Sequence, residues 1–560
     1  MRNRIAKRAT AWQNPPHAVE GALETRRMDM NEHERSTRMR PVAHRRDLTY
    51  QFPVYRWLSW LVVAGYVIGL GLMYLVAGMF GIPAPLAWAF LVILFCAGIA
   101  LLDRPRLLLN VMMFYFLLMP SNRLLGLLAL PLPGFLDELF FVPFIAVIVM
   151  TLIQKQVVKG GNWFPVLFGL IALLSWYVNG KPSPFVTVKI LLVNLKFFII
   201  WYFCRLTLTF KDTKELSLWC WLFIGFATIQ FAYNTLWQGA PWPRIHPDLS
   251  AGVFGPDSKS AHYVGDISVV ALFLLWGWNV ARKHPLSKCR KVLAVLCGII
   301  IFYDLVFMTD TKHVLVLAPI AFSGLLFLPG IPGRIKFRML LLGILFISGA
   351  SIYFWTQKDI RGYWRTLTKN FETTPKGQLF KAVTVDFDKL VPYPILGAGP
   401  GRFASTEGAD SRAPLARIYI TPYNDEAVRL GYYGKKGTTA ISSVAGSVFT
   451  DFFFIESEFG WFGEIVYLAF WGYCVVCLYL KGVKARRLNS EAWGMYFALS
   501  STLLLFMMLQ FLNSVATVGC LAFPVWMLVG RIWDMPLAEE KPEALPLPAG
   551  DAPLFGMETL

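Results

Sequence analysis

Long apolar stretches recur about fourteen times along the chain, and every second gap between them carries Lys and Arg. About 20 consecutive apolar residues cross a bilayer as a helix, because a helix satisfies its own backbone hydrogen bonds in hydrocarbon. The pattern predicts spans at 57–79, 83–102, 107–120, 138–153, 163–178, 186–206, 216–237 and 263–280. It continues with 292–308, 313–328, 339–355, 451–480, 493–512 and 515–532. The expected fold class is all-α: a polytopic membrane protein with about 12–14 transmembrane helices and one large extracytoplasmic loop.

Lys and Arg collect in the short loops that stay on the cytoplasmic side. Counted with the amino terminus inside, Arg104/Arg106, Lys155/Lys159, Lys211/Lys214, Arg282–Lys291, Arg334–Arg338 and Lys481–Arg487 all fall on that side. The polar loops 239–262 and 356–450 then fall outside. The expected division is a basic disordered cytoplasmic tail at 1–56, transmembrane helices over 57–355 with a periplasmic loop near 239–262, a large periplasmic loop at 356–450, C-terminal transmembrane helices at 451–535, and a second cytoplasmic tail at 536–560. The first tail lacks the early apolar core of a cleaved signal peptide, so the first span is expected to serve as an uncleaved anchor.

Composition agrees with this pattern. Hydrophobic residues are 56% and charged residues 16% of the 560, a membrane balance rather than that of soluble domains. The net charge of +18 follows from the positive-inside bias and anionic headgroups. No basic, aromatic-interleaved soluble domain is evident, so nucleic acid is not an expected partner. The eight cysteines lie in apolar segments or, for Cys289, in a basic loop, which argues against a disulfide framework. Cys474 and Cys477 sit within an apolar run and read as buried small hydrophobes.

Four segments carry candidate chemistry. Gly397-Ala398-Gly399-Pro400-Gly401-Arg402-Phe403 lacks the Lys-Ser/Thr of a phosphate-binding loop and the spacing of a dinucleotide fingerprint. Alternating glycines at 397, 399 and 401 permit close backbone approach and exposed N–H groups, suited to an anionic or sugar ligand, or they form a tight turn into the membrane. Next, Asp451, Glu456, Glu458 and Glu464 crowd the mouth of an apolar span, where a carboxylate is costly without a partner or a role. On a helix, Asp451, Ile455, Glu458 and Phe462 share one face. The third segment is the turn Asp310-Thr311-Lys312-His313 between two spans; its Lys is placed to hold phosphate or to snorkel at a helix end. The fourth is the loop with Arg244, His246 and His262. Arg361, Arg365, Arg402, Arg412, Arg417 and Arg429 add a positive outer patch, and Arg binds phosphate in bidentate fashion. No His/Cys cluster with metal-ligand spacing is present, so neither a metal nor another cofactor is expected.

In order and sidedness these elements resemble the O-antigen ligase and O-antigen polymerase superfamily, bacterial membrane glycosyltransferases that act on undecaprenyl-diphosphate-linked glycans. The similarity in span order covers roughly 57–535. Leu396-Gly397-Ala398-Gly399-Pro400-Gly401-Arg402-Phe403 is similar to that family's glycine-rich element, Glu458-Phe459-Gly460-Trp461-Phe462-Gly463 to its Glu-x-Gly-x-x-Gly stretch, and Asp310-Thr311-Lys312 stands where its Ser-Arg turn belongs. The family's His ahead of the last cluster is absent; Phe449, Thr450 and Asp451 occupy that neighbourhood.

The resemblance implies a metal-independent polymerase or ligase in the bacterial inner membrane, with both termini cytoplasmic and chain-length or export proteins as further partners. With the family's His absent, a carboxylate such as Asp451 or Glu458 is expected to act as the catalytic base, or His262 or His313 reaches in from another loop, or this chain handles glycans without transferring them. Lys312, His313, Arg244, Arg402, Arg417, Arg429 and the glycines 397, 399 and 401 are then substrate-binding. Two other classes remain open. Lys189 and Lys196, seven residues apart on one span, would serve a lipid-linked glycan transporter. The basic first tail would serve a membrane component of an export complex.

Overall fold

The computed structural model describes residues 160–181, 184–232, 258–283, 287–309, 312–323, 333–356, 391–401, 451–511 and 519–537, with single positions at 109, 141, 144–149, 152, 235, 384–385 and 387. Both expected tails, the first three predicted spans apart from Leu109, and most of the two polar loops lie outside these residues.

Among the described residues the regular structure is helical throughout, with no strand. In chain order the helices are α1 (Trp163–Val178), α2 (Pro184–Thr207), α3 (Thr213–Ala232), α4 (Ser258–Ala281), α5 (Lys288–Tyr303), α6 (Lys312–Ser323), α7 (Gly333–Thr356), α8 (Asp451–Arg487), α9 (Trp493–Leu509) and α10 (Gly519–Trp533). A π turn, Asp304–Met308, extends α5. Five segments are long and apolar enough to cross a membrane: Val186–Thr207, Thr213–Ala232, His262–Ala281, Lys288–Met308 and Asp451–Arg487. Trp163–Val178, His313–Ser323, Trp493–Leu509 and Leu521–Trp533 are shorter apolar helices.

Several helices run past the predicted spans at their basic ends. α7 takes in Arg334, Lys336 and Arg338, and α8 runs on through Arg487. Hydropathy marks only the part of a helix that suits hydrocarbon; the backbone ladder continues into the polar interface, where Lys and Arg are at home.

Interhelical contacts fix the relative directions of the helices. Phe164 stacks on Phe470 with ring centroids 4.4 Å apart, while the Ser175 hydroxyl donates to the Glu458 carbonyl, so α1 and α8 are antiparallel. Phe197 meets Trp526, and the Arg205 Nε donates to Asp534 at 2.9 Å, so α2 and α10 run together. Gly277 of α4 and Gly494 of α9 meet backbone to backbone, and Trp278 donates to Ser217 of α3.

These contacts bring the helix ends bearing Arg205, Lys214, Arg282, Lys288, Arg486 and Arg531 to one end of the bundle. Two Arg side chains tie that end together. Arg205 bonds the Gly160 carbonyl and Asp534 and lies over Trp201 and Trp533. Arg531 bonds the Leu208 carbonyl and Glu215 and lies over Phe210.

The centre is aromatic: Phe164, Phe197, Trp201, Phe470, Trp471 and Trp526 are each fully buried. The outer faces are equally apolar. Val166, Leu170, Leu173, Leu174 and Tyr177 on α1 are 53–64% exposed, and Val292, Val295, Leu296 and Ile299 on α5 are 50–60% exposed. Contiguous apolar stripes of this size are foreign to a water-facing surface and suit lipid. Packing against tails as apolar as the core is held by van der Waals fit and interhelical hydrogen bonds, and the paired Gly277 and Gly494 let backbones approach for both.

Candidate functional site

The two most conspicuous motifs meet at one junction, built around a break in α8. Gly460 adopts φ 68°, ψ −173°, a region essentially reserved for glycine. An unbroken helix would pair the N–H of residue 461 with the 457 carbonyl and that of 462 with the 458 carbonyl. The break frees those groups where Ser457 and Glu458 are fully buried, so they need protein partners.

The segment 395–401 supplies partners for three of them, the 457 and 458 carbonyls and the 462 N–H. The Ala398 N–H donates to the Ser457 carbonyl (2.8 Å), and the Gly399 N–H to the Glu458 carbonyl (3.2 Å). In return the Phe462 N–H donates to the Ile395 carbonyl (3.3 Å). The Glu458 carboxylate, fully buried, reaches across to accept the Gly401 N–H at 2.9 Å.

Gly397, Gly399 and Gly401 have φ of 74°, 100° and 74°. A Cβ on Gly397 would lie 2.6 Å from the Glu458 carbonyl carbon, and one on Gly460 would collide with the Ile395 peptide. α1 braces the junction from the other side. Asn179 Nδ2 donates to the Gly397 carbonyl (3.1 Å) and to the Ser175 carbonyl (2.9 Å), while Ser175 Oγ donates to the Glu458 carbonyl (2.9 Å).

This geometry corrects one expectation. The N–H groups of Gly399 and Gly401 are consumed in loop–helix bonds, and that of Gly397 in a turn to the Pro394 carbonyl. The glycines therefore serve close backbone approach, and their N–H groups are not open to an anion. The helix-face expectation also changes. Asp451, Ile455 and Glu458 are buried as one face requires, but Phe462 lies beyond the break and is 53% exposed. Glu456, expected on another face, is buried too; its Oε1 accepts the Trp461 Nε1–H at 3.1 Å.

Asp451 is buried in the first turn of α8, close to where the Phe452 N–H donates to the Gln510 carbonyl. His313, near the start of α6, faces His262 of α4 with ring centroids 6.4 Å apart. Asp266, one turn beyond His262, and Asp304 in the π turn are both buried. These polar residues, like the Glu458 junction, lie away from the basic helix ends. Among the described residues no group of three or more His, Cys, Asp or Glu side chains is arranged to hold a metal ion.

Lys312 opens α6, but its side chain lies outside the described residues, as do Arg244, Arg402, Arg417 and Arg429 entirely. Lys196 is buried within α2 and Lys189 is half-buried. Sequence reasoning missed Ser175 and Asn179. The available signal was the polar pair at i and i+4 near the end of an otherwise apolar span, a position where a hydroxyl or amide needs a partner.

No protein-family model matches the chain, and no curated protein matches it either.

Proposed function

We propose that the protein transfers undecaprenyl-diphosphate-linked oligosaccharide at the outer face of the bacterial inner membrane, as a polymerase or ligase of surface or exopolysaccharide. The observation that carries this reading is the Glu458 junction. A glycine-rich segment and an acidic helix break, 57 residues apart, meet in one junction at the end of the bundle away from its basic helix ends. By the positive-inside rule that end is extracytoplasmic, where lipid-linked glycans are joined without nucleotide.

In this reading Glu458 and the glycines set the position of the chain that follows them, including Arg402. The donor diphosphate rests on Lys312, Arg402 and the loop residues Arg244, Arg417 and Arg429, with His313 beside it. The acceptor hydroxyl oxygen bonds to the anomeric carbon as the bond from that carbon to the diphosphate oxygen breaks. The hydroxyl proton passes to Asp451 or Glu458, and undecaprenyl diphosphate leaves as an anion held by the same cations.

Purified protein supplied with lipid-linked repeat units should lengthen glycans without ATP or added metal. Lys312→Ala and Arg402→Ala should each lower the rate by about 100-fold, the usual scale for one charge-stabilising group. Undiminished chain length and yield in both variants would exclude the diphosphate site.

A second reading, transport of the lipid-linked glycan, is favoured by Lys196, an ammonium buried within a spanning helix. Reconstituted vesicles separate the two: a transporter moves labelled lipid-linked glycan between leaflets without changing its length.

A further inference from the structure

At the basic end of the bundle, far along the helices from Glu458, a cavity of about 700 Å³ opens between α3, α4, α5 and the start of α9. Its polar rim carries Lys214, Arg282 and Arg290 against one carboxylate, Glu491, which already accepts the Lys283 N–H at 3.0 Å. Its walls are Trp221 and Trp278, set edge to face with centroids 4.9 Å apart. Trp278 is locked from both sides: its Nε1–H donates to Ser217 Oγ at 2.7 Å, and the Arg282 guanidinium lies 4.2 Å over its ring. The guanidinium is thereby held at the rim instead of sweeping through solvent.

Two further lining residues, Leu218 of α3 and Leu293 of α5, are apolar yet 59% and 52% exposed on the outside of the bundle. The cavity is therefore cationic at its end and opens at its side onto exposed apolar surface.

We propose that this cavity binds the headgroup of an anionic phospholipid, its phosphodiester on Arg282, Arg290 and Lys214 and its acyl chains along Leu218 and Leu293. Charge complementarity selects an anion, and the apolar side opening selects one that carries chains. Arg offers the planar, bidentate donors that phosphate takes up best. Basic pockets between spanning helices on the cytoplasmic side are suited to such lipids on general electrostatic grounds. The proposal does not depend on the glycan-transfer reading, since the cavity lies at the opposite end of the bundle.

The test uses full-length protein in nanodiscs of equal phosphatidylglycerol and phosphatidylcholine, released into detergent and weighed intact by native mass spectrometry. Wild-type protein should keep phosphatidylglycerol in preference to phosphatidylcholine. Arg290→Gln, an exposed position whose change leaves the Arg282–Trp278 contact in place, should weaken retention roughly 5-fold, and Arg282→Gln with Arg290→Gln roughly 30-fold. Lys336→Gln with Arg338→Gln, basic residues outside the cavity, should leave retention at the wild-type level. Equal retention of the two lipids, or undiminished phosphatidylglycerol on the double variant, would overturn the proposal. So would complete displacement by millimolar inorganic phosphate, which would mark a free-phosphate site, or an acidic polypeptide held in place of lipid.

Discussion

Replacing Gly460 by Ala attacks the junction at its tightest point. The backbone there sits at φ 68°, ψ −173°, where a side chain costs about 1–3 kcal/mol. The added methyl would also collide with the Ile395 peptide, for a further 1–3 kcal/mol of overpacking. Against this stand the backbone bonds of Ala398, Gly399 and Phe462 and the Glu458 bond to Gly401, at about 1 kcal/mol each. The penalty and the docking energy are of similar size, so the variant relieves strain by letting 395–401 lift from α8. A loss of about 2–4 kcal/mol in opening free energy lowers amide-exchange protection at Ala398, Gly399 and Gly401 by roughly 30- to 1,000-fold. Hydrogen-exchange mass spectrometry of the peptide covering 395–401 reads this directly. Gly472→Ala is the control: it lies on the same helix with nothing within 4 Å of the added methyl, and its exchange at 395–401 should match wild type. If Gly460→Ala also leaves that exchange within about twofold of wild type, the glycine is not what allows the loop to dock, and the account of the junction fails.

Three further outcomes follow from the packing. Glu215→Ala removes the carboxylate that answers the buried Arg531 guanidinium; because Glu215 keeps 24% of its side chain in solvent, the cost should be about 2 kcal/mol in thermal unfolding in detergent, below that of a fully buried pair. Gly494→Val drives a side chain into the Gly277 backbone and Ala281 and should cost about 3 kcal/mol in the same assay, whereas Gly225→Val, with open space around it, should stay within about 1 kcal/mol of wild type. In the proposed orientation, Cys289, exposed at the basic end, should react with a membrane-impermeant maleimide only after the inner membrane is opened; labelling in cells stripped only of their outer membrane would reverse that proposal.

The spans were legible because the property that predicts them is local. The predicted span 163–178 coincides with α1, and 186–206 and 263–280 fall within α2 and α4. The basic gaps 211–214, 282–291 and 481–487 mark ends of α3, α4, α5 and α8 that lie at one end of the bundle, where contacts such as Arg531 with Glu215 and the Lys283 N–H with Glu491 tie neighbouring helices. The candidate site was half legible. Its two motifs stood out, because Gly-rich alternation and carboxylates in an apolar run are both rare in a spanning sequence. Which of the two roles open to the glycines holds was not legible: composition shows that N–H groups are present, whereas the fold decides whether they are already spent.

By itself the sequence determined that the chain forms long apolar helices, where many of them begin, and which ends share a charge, since these depend on residues within a turn or a span of one another. Only the tertiary structure decided that Ile395 to Gly401 would mend the broken ladder at Gly460, and that Ser175 and Asn179, more than 200 residues away, would brace the repair. Helices apolar on every side do not announce which face meets which neighbour. That choice rests on shape fit and on the few polar groups that hydrocarbon forces into contact.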